Sequence, residues 1–174
     1  MVKILVLIAA GCVVLGIGLL GACTLPLREG GPARPREEIV IARGPCNGFC
    51  PVYRVSVTPG GLVDFEGLRH TALIGSRMRA VSRRTYDEVR KAVLPLRPPT
   101  GTTRDWPCAN PPTETSQVTV EWRSKSGTQT TLRLRAGCRE ADSEMIERLL
   151  DRQIKVLGVE AWVRQALRDG VPKG

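Results

Sequence analysis

The chain has 174 residues, a length that suits a single domain, and it carries 26 Lys and Arg against 17 Asp and Glu, a net charge of +9. That surplus favours anionic partners such as phosphate-rich lipid head groups, acidic glycans or nucleic acid. Nucleic acid is set aside, because no basic stretch is interleaved with stacking aromatics.

Residues 4–22, ILVLIAAGCVVLGIGLLGA, contain no charged side chain, and Lys3 precedes them. A short basic start, an apolar middle and small residues before a cut form the layout of a signal peptide. The run is close to the ~20 residues that span a bilayer, so a retained anchor helix is the rival reading. Gly11, Gly16, Gly18 and Gly21 weaken such a helix. Arg28, Arg34 and Arg36 follow the run closely, which is the wrong charge order for a permanent anchor. Leu20-Gly21-Ala22-Cys23 resembles the lipobox of bacterial lipoproteins. The resemblance implies cleavage after Ala22, a diacylglycerol thioether on Cys23 and acylation of the new amino terminus. Two or three acyl chains anchor firmly, since each buried methylene adds about 0.8 kcal/mol. Cys12 has too few apolar residues before it to serve. Thr24 rather than Asp after the cysteine points to the outer membrane. Gly16-Ile17-Gly18-Leu19-Leu20-Gly21 matches a dinucleotide fingerprint by spacing alone and is dismissed, as no βαβ unit surrounds it.

Residues 23–37 hold the lipidated terminus and a Pro-, Gly- and Arg-rich tether. One domain over 38–167 and a disordered tail over 168–174 are expected to follow. Glu38–Arg43 reads as a first strand. Residues 52–66 read as a hairpin, with Tyr53, Val55 and Val57 alternating before Pro59-Gly60-Gly61, and Val63 and Phe65 returning. A further strand is expected within 70–81. Thr85-Tyr86-Asp87-Glu88 fits a capping box opening a helix with Tyr86, Val89 and Val93 on one stripe. Pro95, Pro98 and Pro99 end it and begin a long loop to about residue 115. A second hairpin sets Val118, Val120 and Trp122 against Leu132 and Leu134 across Gly127. A long helix starts near Asp142 or Ser143, buries Ile146, Leu149, Leu150 and Leu157, and stops at Gly158, and Trp162-Val163 lies on a short terminal helix. The order ββ(β)αββα predicts an α+β domain: a small antiparallel sheet built from two hairpins, with two helices packed on one face.

Four cysteines remain in the domain: Cys46, Cys50, Cys108 and Cys138. An even set in an exported protein reads first as disulfides. Of three possible pairings, Cys46–Cys50 and Cys108–Cys138 are favoured. Gly44, Pro45 and Gly48 let the first loop fold back, and the second bridge joins the proline-rich loop to the end of the second hairpin. Two sharper readings compete. Redox activity at Cys46-x-x-x-Cys50 has a spacing one residue longer than the thioredoxin-like motif, and no helix start follows it. A four-thiolate metal site lacks a second close pair.

Arg43-Gly44-Pro45-Cys46-Asn47-Gly48-Phe49-Cys50-Pro51-Val52-Tyr53-Arg54-Val55 resembles the opening motif of a bacterial family known as domain of unknown function 6438. Gly61–Gly67 resembles its next strand, Gly137-Cys138 a Gly-Cys after its later hairpin, and Gly158 with Trp162-Val163 its ending. The resemblance spans about residues 38–165. Leu134-Arg135-Ala136 stands where an aromatic or histidine is expected. The resemblance implies an exported setting and the fold, and transfers no catalytic residue.

The single histidine, His70, reads as a surface residue, and no serine sits in a nucleophile elbow. Asp87, Glu88, Asp142, Glu144, Glu147 and Asp151 read as solvated helix faces and helix-start charges. Tyr53, Trp122 and Trp162 read as core. No catalytic, cofactor or metal residue is assigned. The expected protein is a periplasm-facing envelope lipoprotein held in membrane lipid by acylated Cys23. Its domain is expected to be a non-catalytic module that binds an anionic glycan, a lipid or a protein. The alternative is an envelope thiol-redox enzyme using Cys46 and Cys50.

Overall fold

The computed structural model describes residues 36–164. Leu20, Gly21, Ala22 and Cys23, most of the tether and the tail 168–174 lie outside these residues. The described residues form seven strands: β1 (Glu38–Arg43), β2 (Val52–Val57), β3 (Leu62–Arg69), β4 (Gly75–Ala80), β5 (Thr103–Asp105), β6 (Gln117–Arg123) and β7 (Gln129–Arg135). Three helices join them: α1 (Arg83–Val93), α2 (Ala141–Val156) and α3 (Glu160–Val163). A single 3-10 turn, Leu94–Leu96, follows α1. The domain is α+β, with one open sheet in the order β4-β3-β2-β1-β6-β7-β5.

The sheet is wider than two hairpins. β1 lies at its centre, pairing antiparallel with β2 on one side and β6 on the other, and so joins the two hairpins. β4 extends one edge, antiparallel to β3. β5 forms the other edge and runs parallel to β7. Its Thr-Arg-Asp sequence has no apolar member and all three residues are exposed, so nothing in hydropathy marks it as a strand.

Register decides which face is buried. Ile39 lies opposite Val57 and Trp122, Ile41 opposite Val55 and Val120, and Phe65 opposite Val55. These side chains share one face and one core with Tyr86, Val89 and Val93 of α1 and Ile146, Leu150 and Ile154 of α2. The other face is polar. There Arg54 reaches across β1 to Glu121 of β6, which also pairs with Arg123 of its own strand, and Val40 of β1 is fully buried beneath.

Two boundaries differ from the sequence reading. Ser82, not Thr85, caps α1: its hydroxyl accepts the Thr85 N–H at 3.0 Å. Thr85 then sits inside the first turn, its own hydroxyl 2.9 Å from that of Ser82. Glu37, assigned above to the tether, is buried in the domain. Its carboxylate accepts two hydrogen bonds from Arg97, at 2.8 and 3.0 Å, and its carbonyl accepts the Tyr86 hydroxyl at 2.6 Å. A forked pair of this kind fixes the point where the chain enters the domain.

α2 ends where Gly158 takes a left-handed φ of +69°, which favours glycine. Trp162 of α3 is half-buried and packs tilted on Phe65 at 5.7 Å, with the Arg77 guanidinium over its ring. Among the described residues no helix is long and apolar enough to cross a membrane.

Candidate binding cleft

β1 ends at Arg43, and the eight residues to β2 must turn the chain back at one end of the central strands. The Gly44 N–H donates to the Gln117 carbonyl at 2.8 Å and the Asn47 N–H to the Glu114 carbonyl at 3.0 Å. A disulfide joins Cys46 to Cys50, with Cα atoms 5.8 Å apart. A second joins Cys108 to Cys138, with Cα atoms 6.0 Å apart. It ties the loop after β5 to the segment that leaves β7. Between these two braced walls lies an open cleft of about 400 Å³, lined by the Cys46–Pro51 loop, Glu114–Ser116, Ala136, Gly137, Arg43 and Glu147.

The charged groups of the cleft hold its walls together. Glu147 accepts the Gly137 N–H at 2.6 Å. Arg43 lies 3.9 Å from Glu147 and 3.8 Å from Asp151. Beside the cleft, Glu140 accepts the Ala109 N–H at 2.7 Å. Behind Arg43, burial pushes the Tyr53 phenol above its ordinary pKa. The Arg43 charge and hydrogen bond oppose that rise, and Asp151 adds to it. Ser116 Oγ is buried on the floor of the wall with no hydrogen-bond partner among the described residues.

Reading all the helix acids as solvated faces is corrected here. Glu147 is only 20% exposed and, with Asp151, clasps Arg43. Periodicity could not show this, because the partner lies about a hundred residues earlier, on β1. His70 takes a left-handed φ of 56°, with Nδ1 3.2 Å from the Cys50 carbonyl and its ring 5.1 Å from that of Phe49. It therefore meets the backbone of the disulfide loop and not a sulfur. Tyr53 and Trp122 are buried in the core. Ligand atoms of Cys108, Cys138 and Glu140 come within 4.8 Å of one another, but a sulfur bonded to a sulfur offers no thiolate to a metal. Cys46 and Cys50 are not part of that group.

The cleft thus gathers Arg43, Cys46–Pro51 and Gly137 of the sequence motifs at one end of the central strand, with Cys138 next in the chain to Gly137. A disulfide-braced α+β domain with an open seven-stranded sheet is the class that this geometry defines. Residues 37–154 match the family model described as domain of unknown function (DUF6438), and the chain belongs to that family. The matched span opens at the buried Glu37 and closes within α2, before Gly158 and α3. No curated protein matches the chain.

Proposed function

We propose that the protein is a bacterial cell-envelope lipoprotein, tethered to a membrane through acylated Cys23, whose domain is a non-catalytic binding or assembly module. One observation carries the reading: the Cys46–Cys50 disulfide lines a cleft that much of the family's motif forms, and the Cys108–Cys138 disulfide holds the chain next to Gly137 on its other wall. Disulfides of this kind persist in oxidising compartments, as export through the 1–22 segment requires. The ionisable groups around the cleft support binding over chemistry. Arg43 is held between two carboxylates, Glu147 and Glu140 serve backbone amides, and the sulfurs serve each other. The basic surface, with Arg83, Arg84 and Lys91 exposed along α1, suits anionic envelope glycans, lipids or an acidic protein.

Membrane fractionation of cells expressing wild type and Cys23→Ala tests the tether. The wild type is expected in the membrane pellet and Cys23→Ala in the soluble exported fraction. Recovery of both in the pellet removes the acyl anchor from the account. Insulin reduction by wild type and Cys46→Ser tests the choice of binding over thiol-redox chemistry, and equal background rates are expected. A wild-type rate that the substitution abolishes makes the protein an oxidoreductase.

A further inference from the structure

β1 has a second cavity at its other end. About 450 Å³ in volume, it lies between the start of β1, α1 and the Pro98-Pro99 turn. One wall is apolar, from Ile39, Leu94, Pro98 and Pro99. The polar groups of the other walls are unevenly employed. Arg97 is fully committed, to Glu37 by two bonds, to the Pro98 carbonyl at 3.1 Å and to the Thr100 hydroxyl at 3.1 Å. The Tyr86 hydroxyl already donates to the Glu37 carbonyl. Arg90, half-buried one helical turn after Tyr86, has no carboxylate or carbonyl partner among the described residues. Trp122 also lines the cavity, and its Nε1–H is buried without an acceptor. Buried donors are ordinarily satisfied, so an orphaned indole N–H beside a cavity calls for an acceptor.

The cavity therefore carries two guanidiniums against one carboxylate, one spare positive charge, one spare donor and an apolar wall. We infer that it is a binding site for a small organic anion, an oxyanion head carried on a flat apolar body. The head takes the planar fork of Arg90, which matches carboxylate and phosphate oxygens. The body lies along Ile39, Leu94 and the two prolines, and an oxygen accepts from Trp122. The size falls within the range of sites for small ligands. This site is separate from the disulfide-braced cleft and does not depend on it.

The test is a titration of the full-length, detergent-solubilised protein, followed by the indole N–H resonances of Trp106, Trp122 and Trp162 in a nitrogen–proton correlation spectrum. Trp122→Phe assigns the Trp122 peak and keeps an aromatic ring in place. Benzoate and phenyl phosphate are the charged probes, benzamide the neutral match, and inorganic phosphate the head group alone. Benzoate or phenyl phosphate is expected to move the Trp122 peak saturably, more tightly than benzamide or inorganic phosphate does. Arg90→Gln is expected to weaken the charged probe about tenfold and to leave benzamide unchanged, as loss of one charge-assisted contact predicts. Three results overturn the inference: no saturable shift at Trp122, equal binding of benzoate and benzamide, or an Arg90→Gln protein that binds the anions as well as wild type. An unchanged melting temperature for Arg90→Gln separates loss of the site from loss of the fold.

Discussion

The two disulfides are expected to differ in what they contribute to stability, and the structure sets by how much. Cys108 and Cys138 are 30 residues apart in sequence, Cys46 and Cys50 only 4. Closing a loop removes entropy from the unfolded chain by a fixed amount plus an amount that grows with the logarithm of its length. That gives about 3.6 kcal/mol for the long loop and about 2 kcal/mol for the short one. The long bridge also fixes a buried sulfur, since Cys138 is fully buried next to the Gly137 N–H that Glu147 accepts. The assay is urea unfolding of the purified protein against Cys108→Ala/Cys138→Ala and Cys46→Ala/Cys50→Ala. With a slope of about 1.5 kcal/mol/M, the midpoint falls by about 2.4 M for the first double variant and about 1.3 M for the second. An equal or larger fall for the Cys46/Cys50 variant would refute the reasoning. The short bridge would then be shaping the folded cleft, not merely restricting the unfolded chain.

Gly67→Ala is expected to destabilise by more than 1 kcal/mol, because a Cβ there would collide with the Leu73 carbonyl and the Thr71 hydroxyl; thermal unfolding measures it, and an unchanged melting temperature would contradict the packing at the β3–β4 turn. Burial raises the phenols of Tyr53 and Tyr86 above their usual value of 10. The unfolded chain then releases these protons at a lower pH than the folded one, so their contribution is complete below about pH 10 and is lost as pH rises through the folded values. Urea midpoints measured from about pH 8 upward should stay flat and then drop, with a shallower drop in Tyr86→Phe. A drop that Tyr86→Phe leaves unchanged would contradict that assignment.

Alternation carried most of the fold. Tyr53, Val55 and Val57, then Val63 and Phe65, then Val118, Val120 and Trp122 all fall on the buried face, as a period of two requires. The central place of β1 was not legible, because pairing order is a long-range property and both of its neighbours have equally apolar faces. β5 was hidden by its brevity and exposure. Sequence alone does not place the cap of α1, because Ser82 and Thr85 both offer a hydroxyl at cap spacing and only backbone geometry selects between them. Near the cleft, turn-forming glycines and cysteine spacing marked the Cys46–Cys50 loop. Ser116 and Glu147 carry no local mark, and the place of Arg43 in the motif says nothing of its carboxylate partners, which lie far away in sequence. Glu37 and Arg97, 60 residues apart, show the same thing at the other end of β1.

Intact mass of the membrane-extracted protein, before and after reduction, tests the central claim most directly. The account predicts a chain that begins at Cys23, carries a diacylglycerol and an N-linked acyl chain, and gains mass on reduction only by the hydrogens of two disulfides. A chain that keeps residues 1–22, lacks acyl mass at Cys23, or shows four free domain thiols before reduction would contradict it.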